Sequence, residues 1–273
     1  MKIDNYKENI IIGSVLGDGN LSIPGRCINA YYSEHFASKQ LEYREWKLSQ
    51  LKDCGFKLSK LNNSHKLTSS ANKLFTYYYN LFYINNIKTI NSTNIKLLNH
   101  PVGLACLYFD DGTLVIDSTT RKNGCKYLFP RISISTLCFS KEENLILINH
   151  IYNVFSIKFK LKQFPYGKGY ALELNKKDEI FKFINLISPY VKDIKSMSYK
   201  IDIYDRLISK QKEIPHSTIC NLYTTIHPYS NDEINKLLQL HKEKVPYKEI
   251  AKILDRTYYS VVYKLRDLEH KKE

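Results

Sequence analysis

The sequence predicts an α+β fold: two pseudo-symmetric copies of an αββαββα unit, then a small all-α module. Three observations predict it. An apolar helix-like stretch broken by glycine and aspartate occurs twice, as "IIGSVLGDG" and "LACLYFDDG", with Asp18 and Asp111 in matching places. The strand-like "GFKLSKL" is echoed by "SIKFKLKQ" a little over ~100 residues later, a repeat period too long for a solenoid and suited to a duplicated domain. From about Ile226 the period-two signal stops and only helical spacing remains. The units run over 1–100, 101–225 and 226–273.

In the first copy, a helix through Ile10–Leu16 ends at "GDG", and extended segments follow, the clearest being "CINAYYSEHF". A helix through "KQLEYREWKLSQLKDCG" is closed by Gly55 just past its last turn. The runs "FKLSKL" and "HKLTSS", joined by the turn-forming "NNS", read as strands, and "NKLFTYYYNLFYI" as a helix leading to "NNIKTI". In the second copy Pro101 opens a helix. Strands "TLVIDS" and "RISIST", the helix "KEENLILINHIYNVF" and the pair "IKFKLKQ"/"YALELN" around "FPYGKG" follow. A helix "DEIFKFINLI" is expected to stop at Pro189. In the tail, Ser230 and Glu233 form a capping box, Pro246 suits the first turn of a second helix, and Thr257 can cap a third.

Composition bounds the function. The chain of 273 residues is 43% hydrophobic and 25% charged, which fits globular folding, yet its net charge is +14. Of that surplus the tail holds only +2, so the duplicated part carries +12, a footprint suited to a polyanion such as nucleic acid. Charge alone does not separate this from a coding bias toward Lys, Asn and Ile. The six cysteines lack any CxxC spacing, which argues against a zinc site and a disulfide framework and fits a reducing, intracellular compartment. No secretory leader and no apolar run of bilayer length is present, so no membrane partner is expected.

The chemistry lies in the two motifs. A carboxylate at a helix C-terminus is disfavoured by the macrodipole and the exposed carbonyls there. The arrangement becomes favourable when a hard divalent cation, Mg²⁺ or Mn²⁺, sits among the oxygens. Gly13 and Gly17, on one face, leave a smooth groove for a neighbouring helix, and Ala105 and Cys106 are the small residues expected opposite. If the helices pack there, Asp18 and Asp111 stand side by side, suited to metal-assisted phosphodiester attack. Taken singly, each "DG" is also an ordinary helix-ending turn.

"IIGSVLGDG" and "LACLYFDDG" resemble the two motifs of single-chain LAGLIDADG homing endonucleases, and "NNIKTI" and "SMSYKI" resemble further family segments. The resemblance covers about residues 8–205. It implies a β-saddle of two curved sheets lying along a duplex and a monomeric, Mg²⁺-dependent enzyme that makes a double-strand break at a long DNA site. It places the catalytic acids at Asp18 and Asp111, and the metal-binding carbonyls one residue earlier at Gly17 and Asp110. Lys88 and Lys200 become the basic residues that poise water and balance charge. Cys106 and Asp110 depart from the pattern, which has a glycine and a small residue in those places. Asp110 either adds charge at the site or faces away.

With DNA implied, alternate residues of two strands are its candidate contacts: Arg131, Ser133 and Ser135 in "RISIST", and Lys158, Lys160 and Lys162 in "IKFKLKQ". The tail resembles Myb-like or homeodomain-like helix-turn-helix modules. That likeness implies a core of Ile250, Ala251, Leu254, Val261, Val262 and Leu265, with Arg256, Tyr258, Tyr259, Tyr263 and Lys264 exposed toward DNA. Two other functions share the scaffold: a non-catalytic DNA-binding regulator, expected to have lost the acids, and an RNA maturase that assists folding of its host intron.

Overall fold

The computed structural model describes residues 3–25, 27–60, 64–121, 124–219, 229–256, 260–262, 264–265 and 268. The first repeat contains α1 (Asn5–Leu16), β1 (Asn20–Ser22), β2 (Tyr31–Phe36), α2 (Leu41–Gln50), β3 (Phe56–Lys60), β4 (His65–Ser69) and α3 (Lys73–Phe82). A hairpin of β5 (Tyr83–Ile84) and β6 (Ile87–Lys88) closes it. The second has α4 (Pro101–Asp111), β7 (Gly112–Thr120), β8 (Lys126–Ser135), α5 (Lys141–Phe155), β9 (Lys160–Gln163), β10 (Tyr170–Leu174) and α6 (Lys177–Val191). It is extended by α7 (Ile203–Glu213) and β11 (Thr218–Ile219).

The sheets repeat one topology. The first is ordered β1-β2-β4-β3, all neighbours antiparallel. The second is β7-β8-β10-β9, with β11 added in parallel along β8. These are the two antiparallel sheets of the α/β saddle. They differ in reach, since β7 and β8 pair over nine positions and β1 and β2 over three.

Both motif helices are buried all round, at residues 9–16 in α1 and 102–110 in α4, as befits helices without a polar face. Their starts are tied together. Buried Asn9 accepts the backbone N–H groups of Asn99 and His100 at 2.9 Å, and its amide donates to Asn99 at 3.0 Å. Pro101 opens α4, whose Val102 N–H is capped by His100 Nδ1 at 3.2 Å.

Several sequence expectations need correction. α6 does not stop at Pro189 but runs on to Val191. Pro189 and Asn185, whose carbonyl loses its donor, are both exposed, so the freed oxygen is open to solvent while buried Ile187 and Val191 hold the last turn. Strand β9 begins at Lys160, leaving Lys158 on the irregular lead-in, where its ammonium lies 5.3 Å from the Tyr152 ring centre. The β5–β6 hairpin, α7 and β11 were not anticipated. Asn85 and Asn86 turn that hairpin, both with positive φ (50° and 64°), the backbone of a type I′ turn. In α7 only Ile203 and Leu207 are buried, too thin a stripe to stand out among charges. The "NNS" turn falls largely outside the described residues.

Cα packing divides the chain into units at 1–220 and 221–273. In the second, α8 (Asn231–Lys242) opens with the anticipated capping box of Ser230 and Glu233, and α9 (Tyr247–Ile253) follows Pro246. Leu237 joins Ile250, Ala251, Leu254, Val261 and Leu265 in its core, and Val262 is half-buried. Among the described residues no helix is long and apolar enough to cross a membrane.

Candidate active site

The site is built where α1 and α4 touch. A Cβ added to Gly13 would lie 2.0 Å from the carbonyl oxygen of Gly103, and one added to Gly17 would lie 2.6 Å from Asp110 Cβ. The contacts advance in the same direction along both helices, so they run parallel with both C-termini at the same end. The backbone contact with Gly13 falls at Gly103, a small residue the sequence reading did not name beside Ala105 and Cys106. Backbone meets backbone there, which only glycine on both sides permits.

Asp18 and Asp111 follow directly on the Gly17–Asp110 contact and lie within each other's field. Burial pushes the Asp111 carboxyl up to about 6, and the charge of Asp18 pushes the same way. Among the described residues Asp111 makes no hydrogen bond or ion pair, whereas Asp18 is bound through Oδ2 to Arg44 at 2.6 Å.

The two lysines sit on the carbonyls of their own motifs. Lys88 Nζ donates to Gly17 O at 3.0 Å and Gly19 O at 2.9 Å. Lys200 Nζ donates to Phe109 O at 2.5 Å and lies 3.4 Å from Asp110 O. Burial lowers the pKa of both, that of Lys200 to about 8. Helix-terminal carbonyls thus receive positive charge that offsets the convergent dipoles.

The Asp110 side chain faces away from this mouth. Its carboxylate lies 3.1 Å from Lys47 Nζ and 3.3 Å from Arg44 Nη1, and both cations also hold Glu34, at 2.9 and 2.7 Å respectively. All four side chains are buried. The two Arg44 contacts, with Asp110 and Glu34, are charge pairs too oblique for hydrogen bonding; its aligned bond goes to Asp18. Tyr32 donates its hydroxyl to Glu34. Burial opposes the charge on Arg44, but Asp110, Glu34 and Asp18 outweigh it and hold the guanidinium protonated. Burial raises the Asp110 pKa despite Lys47 and Arg44. Of Asp110, the backbone carbonyl is the part that faces Lys200 at this mouth. Sequence reading missed Arg44 and Lys47, although Tyr43, Arg44, Lys47 and Leu51 recur at helical spacing on one buried stripe.

The strand residues named for DNA divide. Arg131, Ser133 and Ser135 alternate with fully buried Leu128, Ile132 and Ile134. Arg131 is not free: Nε meets Asp117 at 2.6 Å and Nη1 meets Glu173 at 2.7 Å. Ser133 is only 9% exposed. Lys160 and Lys162 are exposed on edge strand β9, opposite Glu173 and Ala171.

In the tail, Arg256 is corrected from an exposed contact to a brace. It binds Glu233 at 2.8 Å and lies over the Tyr229 ring at 4.5 Å. Lys264 is half-buried, 5.7 Å from the same ring. Tyr258, Tyr259, Tyr263 and Thr257 lie outside the described residues.

A hard cation suits the donor set. Asp111 makes no ion pair among the described residues, Asp18 keeps Oδ1 free of Arg44, and the carbonyls of Gly17 and Asp110 add neutral oxygens. Among the described residues no group of three or more His, Cys, Asp or Glu could hold an ion by side chains alone. Mg²⁺ needs only one or two carboxylates, completing its shell with water and phosphate.

A duplicated α/β saddle with one acid at the end of each of two parallel, touching helices defines the LAGLIDADG class. The chain belongs to the LAGLIDADG DNA endonuclease family, whose model matches residues 8–183. Among solved structures it is similar to "The homing endonuclease I-WcaI bound to its DNA recognition sequence", with TM-score 0.60 and 22% identity, over 74% of this chain and 88% of that one. It is also similar to the I-SmaMI LAGLIDADG homing endonuclease bound to cleaved DNA, with TM-score 0.50 and 13% identity, over 78% and 91% of the two chains. Among curated proteins, Protein RecA of Mycolicibacterium flavescens is 25% identical over 206 residues, 73% of this chain. The chain spans 47% of that relative's length.

Proposed function

We propose that this chain is a site-specific homing endonuclease that cuts both strands of DNA by metal-dependent phosphodiester hydrolysis. The observation that carries the reading is the pairing at the helix crossing. Two acids flank one contact, and each motif's end carries its own lysine. Mg²⁺ or Mn²⁺ would be held by Asp18, Asp111 and the carbonyls of Gly17 and Asp110, and would supply Lewis-acid assistance to the attacked phosphate. Lys88 and Lys200 would place positive charge where the phosphate gains negative charge, which a low-dielectric site makes effective. Arg44 holds Asp18 in one orientation. Lys160 and Lys162 would meet the phosphate backbone, and the +12 of the duplicated part would draw the duplex in. Relatives of the same fold are solved on a DNA recognition sequence and on cleaved DNA.

The test is a plasmid carrying the uninterrupted form of the site into which the chain's own reading frame is inserted, incubated with protein and Mg²⁺. The wild type linearises it, and Asp18→Asn and Asp111→Asn bind it without cutting. Binding without cutting by the wild type under both Mg²⁺ and Mn²⁺ would overturn the enzyme in favour of a DNA-binding regulator.

A further inference from the structure

We propose that the two catalytic-site lysines are positioned crosswise, each by a glutamate of the opposite repeat: Glu42 positions Lys200, and Glu143 positions Lys88.

Glu42 lies in the first turn of α2, in the first repeat. Its carboxylate reaches 153 residues along the chain to accept Lys195 N–H at 3.1 Å and Ser196 N–H at 2.7 Å. These donors open the 3₁₀ segment Lys195–Lys200, where first-turn N–H groups have no partner within the helix. The far end is pinned as well, since Tyr108 of α4 donates its hydroxyl to the carbonyl of Lys200 at 2.6 Å. A short segment fixed at both ends leaves the Lys200 side chain one well-defined approach to Phe109 O. The Ser196 N–H holds the Glu42 carboxyl below its usual range, so the bond is made by the ionised form.

Glu143 lies in the first turn of α5, in the second repeat. Its Oε1 accepts Ile90 N–H at 2.8 Å, two residues beyond Lys88. The carboxylate cannot swing away freely, because Oε2 accepts Ser140 N–H at 2.7 Å within the capping box. On the near side, Thr89 N–H bonds to Phe82 O at 2.7 Å. The backbone that carries Lys88 is thereby held between its own hairpin and the other repeat.

Neither glutamate is bonded to a motif residue, so both act through the lysines as positioning residues. A repeat folded without its partner would carry its acid but not its correctly placed lysine. That these lysines serve a phosphate rests on the nuclease reading; that they are held crosswise does not.

The experiment uses the full chain in two arms. In the first, without metal or DNA, lysines are acetylated under limiting reagent and site-specific rates are read by mass spectrometry. Glu42→Ala should raise the Lys200 rate about tenfold or more, from loss of two charge-assisted hydrogen bonds, and leave Lys88 unchanged. Glu143→Ala should do the reverse. Glu42→Gln and Glu143→Gln, which keep one of the two acceptor oxygens and lose the charge, should raise the rate of the same lysine by less than alanine does, and they carry the test if an alanine variant does not fold. Ser140→Ala, which removes the capping hydroxyl but not the bond to Ile90, should leave Lys88 protected.

In the second arm, each strand of the DNA site carries its own label. Glu42→Ala should slow the strand that Lys200→Met slows, lowering kcat without changing KM, and Glu143→Ala the strand that Lys88→Met slows. Equal unmasking of both lysines by either alanine variant, or of neither, overturns the proposal. If the wild type cuts no DNA, the nuclease reading fails and the acetylation arm still decides the crossed bracing.

Discussion

Helices α2 and α5 occupy matching places in the two repeats, and residues 44–51 and 144–151 share the same order of buried, half-buried and exposed positions. Their buried chemistry is opposite. Arg44 and Lys47 stand in the first, and Asn144 and Leu147 in the second. The first pair forms a charged cluster with Glu34 and receives Asp110 from the other repeat. Asn144 instead closes its own loop, donating to Phe139 O at 3.1 Å and Ser140 O at 2.9 Å, and Leu147 packs in the core. Duplication therefore fixed the backbone and the burial pattern without fixing the electrostatics. Among the described residues, one acid has an arginine on it and the other has none.

The largest test of this difference makes the first helix like the second. Lys47→Leu leaves Glu34 and Asp110 buried with one cation fewer, and should destabilise by about 3–5 kcal/mol in urea unfolding, as expected on removing one partner of a buried pair. A loss below about 1 kcal/mol would mean the cluster is not desolvated as drawn. Next comes the helix contact: Gly13→Ala drives a Cβ into the Gly103 backbone, which cannot yield, and should cost about 3 kcal/mol. At Cys106, the matching place in α4, a larger side chain is already accommodated, so Cys106→Ala should cost less than Gly13→Ala in the same assay.

The acids themselves should differ with pH. A carboxyl whose proton is held more tightly in the folded than in the unfolded chain adds stability below its unfolded value, and loses it as pH rises through the folded one. Asp111, raised from 3.8 to about 6, should therefore make the metal-free wild type lose stability relative to Asp111→Asn between those pH values. Thermal melts of the two proteins across that window check the sign, and parallel profiles would break it. The smallest contrast is at the helix starts. Ser140→Ala should cost about 1 kcal/mol, whereas Gln40→Ala should cost almost nothing, because Gln40 makes no side-chain cap.

Legibility followed the range of the interactions. The motif helices, the longer strands and the caps at Pro101 and Ser230 could be read because period, proline and capping chemistry act within a few residues. The Gly17–Asp110 contact was half legible: small residues announced a close approach, but not that Gly103 would be the partner of Gly13. The charged stripe on α2 carries no local signal of burial, since Arg44 and Lys47 look solvated until Glu34 from a neighbouring strand and Asp110 from the other repeat meet them. Arg256 misled for the same reason, its partner Glu233 being a helix away.

The sequence by itself determined the duplication, the alternation of buried and open positions, and the placing of one carboxylate at the end of each motif helix. These follow from local backbone preference and hydrophobic period. Which charges are neutralised, by whom and across which repeat, was decided only by tertiary structure. Burial makes an ion's energy depend on the few neighbours within several ångströms, and those neighbours come from other elements, about 10 to 150 residues away along the chain.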